Sequence, residues 1–257
     1  MGRKIAYYFA SHVGKCRKNN QDNFCCNGSY MHHENKGTKG ILKGRVACKK
    51  MPVFAVFDGM GGEEQGEMAA YIAAKEMHGF SFDGGFDQGF FDFCTAANRK
   101  ICDYARENGV SSMGTTAAIL GFTAQNSCLC NIGDSKVFLF SQGLLTQISY
   151  DHVGIAAFGR KPPLSQNLGI PEEEMIIEPY VALGGCEPGD AYLICSDGLT
   201  DMVTQERIQA ILTKNRGSEA AKQLLEEALR NGGRDNITFL LVYVTKQKRS
   251  LLGFGKR

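Results

Sequence analysis

A chain of 257 residues, 43% hydrophobic and 22% charged, has the material for one large core and falls short of two well-filled ones. Its formal net charge of +2 lacks the concentrated basic character of a nucleic-acid binder, and no apolar run approaches the roughly 20 residues of a membrane span. The ten Cys contain no Cys-x-x-Cys pair, and Cys94, Cys102, Cys128, Cys130 and Cys195 stand inside apolar segments, which excludes a zinc or disulfide framework in favour of reduced, mostly buried thiols. The opening Met1-Gly2-Arg3-Lys4-Ile5-Ala6 has no signal-peptide core and carries Ala6 where myristoylation asks for Ser or Thr, so the expected location is cytoplasmic.

In chain order, Ile5 to Ala10 and Asp22 to Cys26 read as strands, and residues 27–50 as a loop or loosely formed hairpin without periodicity. Val53 to Phe57 is an apolar run of the kind that forms a strand buried on both faces, and it ends in Asp58-Gly59. Residues 64–78 suit a helix, and Phe90, Cys94, Ala97, Ile101 and Tyr104 mark the core face of a stronger one. Thr115–Phe122, Ser127–Ile132, Lys136–Ser141 and Leu144–Ser149 follow with short turns between them, the pattern of an antiparallel meander. Residues 150–189 are rich in Pro and loop-like, the place for a flap over a site, at about 150–185. A second buried strand, Tyr192 to Cys195, runs into Ser196-Asp197-Gly198. Helices around Gln205–Thr213 and Ser218–Arg230 precede a last strand, Ile237–Val244. The basic and apolar tail, 246–257, reads as a solvated end beyond a single domain spanning 1–245.

The recurrence of acids at strand ends is the chemical signal. Asp58, Asp197 and Asp235 lie beside apolar strands, and Asp134 follows another in Asn131-Ile132-Gly133-Asp134-Ser135. Brought to one edge they would repel, by about 4 kcal/mol for two unit charges 4 Å apart at an effective dielectric of 20. Hard divalent cations are the natural compensation for clustered carboxylate oxygens. Each acid taken singly is equally well explained as a turn residue bonded to backbone amides. A Cys-x5-Arg loop, the mark of cysteine-based phosphatases, is absent.

Six motifs occur in an order that resembles the metal-dependent type 2C Ser/Thr protein phosphatases, in particular their compact bacterial members. They are Arg17-Lys18-Asn19-Asn20-Gln21-Asp22, Val56-Phe57-Asp58-Gly59-Met60-Gly61-Gly62, Met113-Gly114-Thr115-Thr116, Asn131 to Ser135, Cys195-Ser196-Asp197-Gly198-Leu199 and Gly233-Arg234-Asp235-Asn236. The resemblance implies an α+β fold, a four-layer αββα sandwich of two mostly antiparallel sheets flanked by helix pairs. It implies Mn2+ or Mg2+ as cofactor, two ions bound tightly and a third weakly. Asp58 would bridge the two, with the Gly59 carbonyl on the second. Asp197 and Asp235 would complete the first ion's shell, and Asp22 would act on the second through water. Asp134 and Asp197 would hold the third. Arg17 would grip the substrate phosphate through its planar fork.

The implied reaction is hydrolysis of phospho-Ser and phospho-Thr by a metal-activated water, without a phosphoenzyme. The implied partners are phosphorylated proteins, substrates of a Ser/Thr kinase, acted on by a monomer. Two alternatives stay open at the level of sequence: hydrolysis of small phosphate esters, and a non-catalytic phospho-binding module of the same fold. One departure stands out, because many members carry a His in or just after the Asp-Gly-x-Gly-Gly motif as proton donor to the leaving alkoxide. Met60 and Glu63 occupy those places here, which leaves Glu63 and His152 as candidate general acids.

Overall fold

The computed structural model describes residues 2–60, 65–82, 84–156 and 161–246. Two antiparallel sheets lie face to face. The first has the order β3-β1-β12-β11-β8-β9, built from β1 (Arg3–His12), β3 (Leu42–Ala47), β8 (Lys136–Ser141), β9 (Leu144–Gln147), β11 (Ala191–Cys195) and β12 (Ile237–Lys246). The second has the order β10-β7-β6-β4-β2, from β2 (Asp22–Cys26), β4 (Val53–Met60), β6 (Ala117–Phe122), β7 (Asn126–Ile132) and β10 (Tyr180–Gly185), with the two-residue β5 (Gly114–Thr115) on the end of β4.

Alternation along the strands explains the layers. Phe54 and Val56 of β4, Tyr192 and Ile194 of β11, and Leu240 and Val242 of β12 face one another in a core between the sheets. The opposite faces carry equally apolar side chains. Ala55 and Phe57 pack under α1 (Gly66–Gly79) and α2 (Phe86–Asn108), where Phe90, Phe93, Cys94, Ala97 and Ile101 point inward. Leu193, Phe239 and Leu241 pack under α4 (Gln205–Lys214) and α5 (Gly217–Arg230). Strands buried on both faces must read as unbroken apolar runs, which is why β4, β11 and β12 stood out in the sequence. The four-layer αββα order follows from these three cores.

Several sequence expectations need correction. Residues 27–50 contain β3, followed by a turn of 3-10 helix at Cys48–Lys50. Only Val46 of β3 is buried, so alternation was absent, and the strand is held by backbone pairing to β1. Within 150–189 lies β10, an edge strand with two Gly and three consecutive exposed residues, again placed by pairing, here with β7. The run from Thr115 to Ser149 is no meander. β6–β7 and β8–β9 are hairpins in different sheets, and Gly133, Asp134 and Ser135 form the crossing between them. Asp58 lies inside β4, which continues to Met60 because Gly59 and Met60 pair with Thr115 and Gly114. A short helix, α3 (Asp197–Thr200), follows β11 directly. The tail residues 247–257 lie outside the described residues, as does Glu63. No described helix is long and apolar enough to cross a membrane. All ten Cys are unpaired with one another by disulfides, and eight of them are buried.

The Asp197 turn is locked against the start of β12. A Cβ on Gly198 would lie 1.9 Å from the Asn236 carbonyl oxygen, a contact that only glycine avoids. Gly198→Ala is expected to cost about 1–3 kcal/mol through overpacking, read as a lower urea midpoint. An unchanged midpoint would mean that the two segments do not meet as described.

Candidate functional site

The two sheets bring their acids to one end. Asp22 opens β2 and lies directly opposite Asp58 of β4 in the antiparallel register. Asp197 begins α3 just beyond β11, Asp235 precedes β12, and Asp134 sits on the crossing between sheets. Arg17, Gln21, Asp58, Gly59, Met60, Thr116, Asp134, Lys161, Asp197, Asp235 and Asn236 line one cleft of about 310 Å3.

Hydrogen bonds fix the backbone beneath these side chains. The Asp58 amide donates to Thr116 Oγ1 (3.1 Å), and the Asp58 carbonyl accepts from the Thr116 amide (2.9 Å) and Thr115 Oγ1 (3.0 Å). Thr116 Oγ1 is also 2.7 Å from Ser135 Oγ, which ties β4 to the crossing that carries Asp134. Asn236 accepts from the Gln21 amide (2.7 Å) and donates to the Val13 (2.9 Å) and Asn19 (3.0 Å) carbonyls. The Arg17–Asp22 segment is thereby fastened to Asp235. Ser196 Oγ donates to Asp22 Oδ2 at 2.8 Å. Gly59 is required, because a Cβ there would lie 2.2 Å from the Gly66 carbonyl oxygen.

Charge is the unresolved element. Burial pushes the Asp22 carboxyl up to about 7, against the relief given by Ser196 and Thr238, with Asp197 and Asp235 adding repulsion. Burial, and then Asp22, Asp197, Asp134 and Asp235, raise Asp58 well above the usual carboxylate range. Asp134 is raised by burial and Asp197 while Lys161 opposes the shift. Two cations answer the acids. An Arg17 guanidinium nitrogen donates to Asp235 Oδ2 at 2.7 Å, and Lys161 Nζ donates to Asp197 Oδ2. Lys161 Nζ also lies 3.2 Å from Asp134 Oδ2 and 3.8 Å from Asp201 Oδ2.

Sequence reasoning did not single out Lys161 or Asp201. Asp201 follows Asp197 by four residues, the spacing that stacks side chains on a helix face, so a signal was present. Lys161 precedes Pro162-Pro163 in an irregular stretch where nothing marks it. His152 is 8% exposed, does not line the cleft, and leaves Nδ1 without a partner.

Comparison with known proteins decides the family. A family profile described as protein phosphatase 2C matches residues 45–231. The chain belongs to the protein phosphatase 2C family. It is 32% identical over 207 residues, 75% of its length, to the serine/threonine protein phosphatase PstP of Mycobacterium tuberculosis. The chain spans only 40% of the length of that relative. It is 28% identical to the serine/threonine phosphatase stp of Listeria innocua, covering 88% of this chain and 94% of the relative. The solved catalytic domain of PstP in complex with two manganese ions superposes with a TM-score of 0.74 at 29% identity, over 95% of this chain and 100% of that one.

The donor set of this protein phosphatase 2C chain fits hard divalent ions. Every acid at the cleft offers oxygen, and a 2+ charge would offset both the burial and the repulsion that lift Asp22 and Asp58. Among the described residues no three acidic, His or Cys side chains converge on one point. Arg17 bonds Asp235 and Lys161 bonds Asp197. Small ions of this type keep several waters in their shell. The same burial, with the repulsion added, makes the Asp22 carboxylate a burden on the ion-free fold. Asp22→Asn is expected to stabilise the ion-free protein by about 1 kcal/mol, roughly 2–4 °C in Tm. A fall in Tm, measured by calorimetry in chelator, would show that the carboxylate is compensated in the fold.

Proposed function

We propose that this chain is a divalent-metal-dependent protein phosphatase that hydrolyses phospho-Ser and phospho-Thr, using Mn2+ or Mg2+. The observation that carries the reading is the clustering of Asp22, Asp58, Asp134, Asp197 and Asp235 at one end of the sandwich with Arg17 at the rim. Its similarity to a catalytic domain solved with two manganese ions supports the choice of cofactor. Asp58, with Asp197 and Asp235, is assigned to the first ion, and Asp58 and the Gly59 carbonyl to the second, with Asp22 behind it. Asp134 and Asp197 are assigned to a third, weaker one. Bound ions of this kind acidify a water nucleophile and neutralise charge on the transferring phosphoryl group.

The chain's own residues supply orientation. Arg17 spends one nitrogen on Asp235 and is half exposed, so its remaining N–H groups are free to face phosphate oxygens at the mouth of the cleft. Gly59 and Gly198 allow backbone to approach backbone where a Cβ would force the acids apart. Met60 lines the cleft at the family's His position and offers no proton. Natural substrates are phosphoproteins produced by a Ser/Thr kinase, met by a cytoplasmic monomer.

The purified chain should release phosphate from a phospho-Thr peptide with Mn2+, stop in chelator, and lose at least 100-fold with Asp197→Asn, on the order of one electrostatic contact made in the transition state. Mn2+ binding without phosphate release would overturn the proposed activity. His152→Ala should leave the ratio of phospho-Thr peptide to aryl phosphate turnover unchanged, because its ring is outside the cleft. A peptide rate that alone falls by the 10²–10⁴-fold typical of a lost general acid would assign the proton to His152.

A further inference from the structure

Lys161 stands where a cation belongs. Its ammonium bonds Asp197 Oδ2 and reaches Asp134 Oδ2 at 3.2 Å and Asp201 Oδ2 at 3.8 Å. The three acids come from separate places: the crossing between sheets, the first residue of α3, and the residue after its last turn. Asp134 and Asp197 are 12% and 16% exposed at the side chain, so water screens them poorly, and one positive charge faces three carboxylates. A divalent ion held by Asp134 and Asp197 would need the same carboxylate oxygens that the ammonium now faces. The two occupants exclude each other.

We propose that Lys161 is a tethered competitor for the divalent ion held by Asp134 and Asp197, with Asp201 as a further acid of that position, so that the third ion binds only by displacing the Lys161 side chain. The inference rests on the reading of the cleft as a divalent-metal site. Lys161 makes no bond to Asp58 or Asp22, and its hold on Asp235 is nil, so the pair of ions centred on Asp58 is affected only through Asp197. An intramolecular competitor acts at a fixed effective concentration, which sets a threshold in free metal rather than an affinity for a second molecule. The third position then reports the ambient divalent-ion level, whereas the first two stay filled.

The test counts ions rather than turnover. Free Mn2+ is followed by its solution EPR signal during titration into the full chain, wild type against Lys161→Met and Lys161→Arg. Lys161 is half exposed at the side chain, so both variants should fold, and circular dichroism checks this. The wild type is expected to take up two ions tightly and a third weakly. Lys161→Met should tighten the third at least 10-fold and by more than it tightens the first, which shares only Asp197 with it, while Lys161→Arg, which keeps the charge, should stay near wild type. Asp201→Asn in the Lys161→Met background should weaken the third ion again. A third-ion affinity equal in wild type and Lys161→Met overturns the inference while the metal reading stands. No Mn2+ uptake by the wild type overturns both.

Discussion

Carboxylates that repel one another at the end of a β-sandwich are the constraint around which this structure is arranged. Asp22 and Asp58 are cross-strand neighbours, the arrangement in which like charges oppose most directly. A fold selected only for stability would not place them so. Here rigid backbone meets the cost, through two sheets locked by three layers of apolar packing and by hydroxyl and amide bonds under each acid. Preorganised charge of this sort is held in place before any ligand arrives.

The layers of the fold were legible because burial on both faces writes itself into the sequence as unbroken apolar runs. Val53 to Phe57, Tyr192 to Cys195 and Ile237 to Val244 each gave a strand within a few residues of its limits. The stripe Phe90, Cys94, Ala97, Ile101 located α2 for the same reason. What failed were elements whose cause lies elsewhere in the chain. Leu42–Ala47 and Tyr180–Gly185 have almost no buried side chains of their own, and become strands because β1 and β7 offer unpaired backbone. The move from one sheet to the other at Gly133 to Ser135 has no local signature either, since a tight connection looks alike whichever sheet receives it.

The acids of the site were legible as a set, by their positions beside apolar runs and by the ordered motifs, whereas the cations that answer them were only half so. Arg17 was singled out by its place before Asp22. Lys161 was not, because its role depends on where an irregular stretch of chain returns, and no short-range pattern encodes that return. The general acid is a related case. Sequence proximity to a motif made His152 a candidate; its ring is buried, and it is not among the side chains that line the cleft.

The central place of β12 has a further consequence. It lies between β1 and β11, with Arg3 paired to Lys246 and Cys195 to Phe239, so one strand unites the first sheet across most of the sequence. Pairings of such long sequence separation form slowly. The step in folding that seats β12 between β1 and β11 also brings Asp235 to the end of the sandwich where Asp58 lies. One strand thus closes the first sheet and assembles the charge cluster, and disrupting it costs both together.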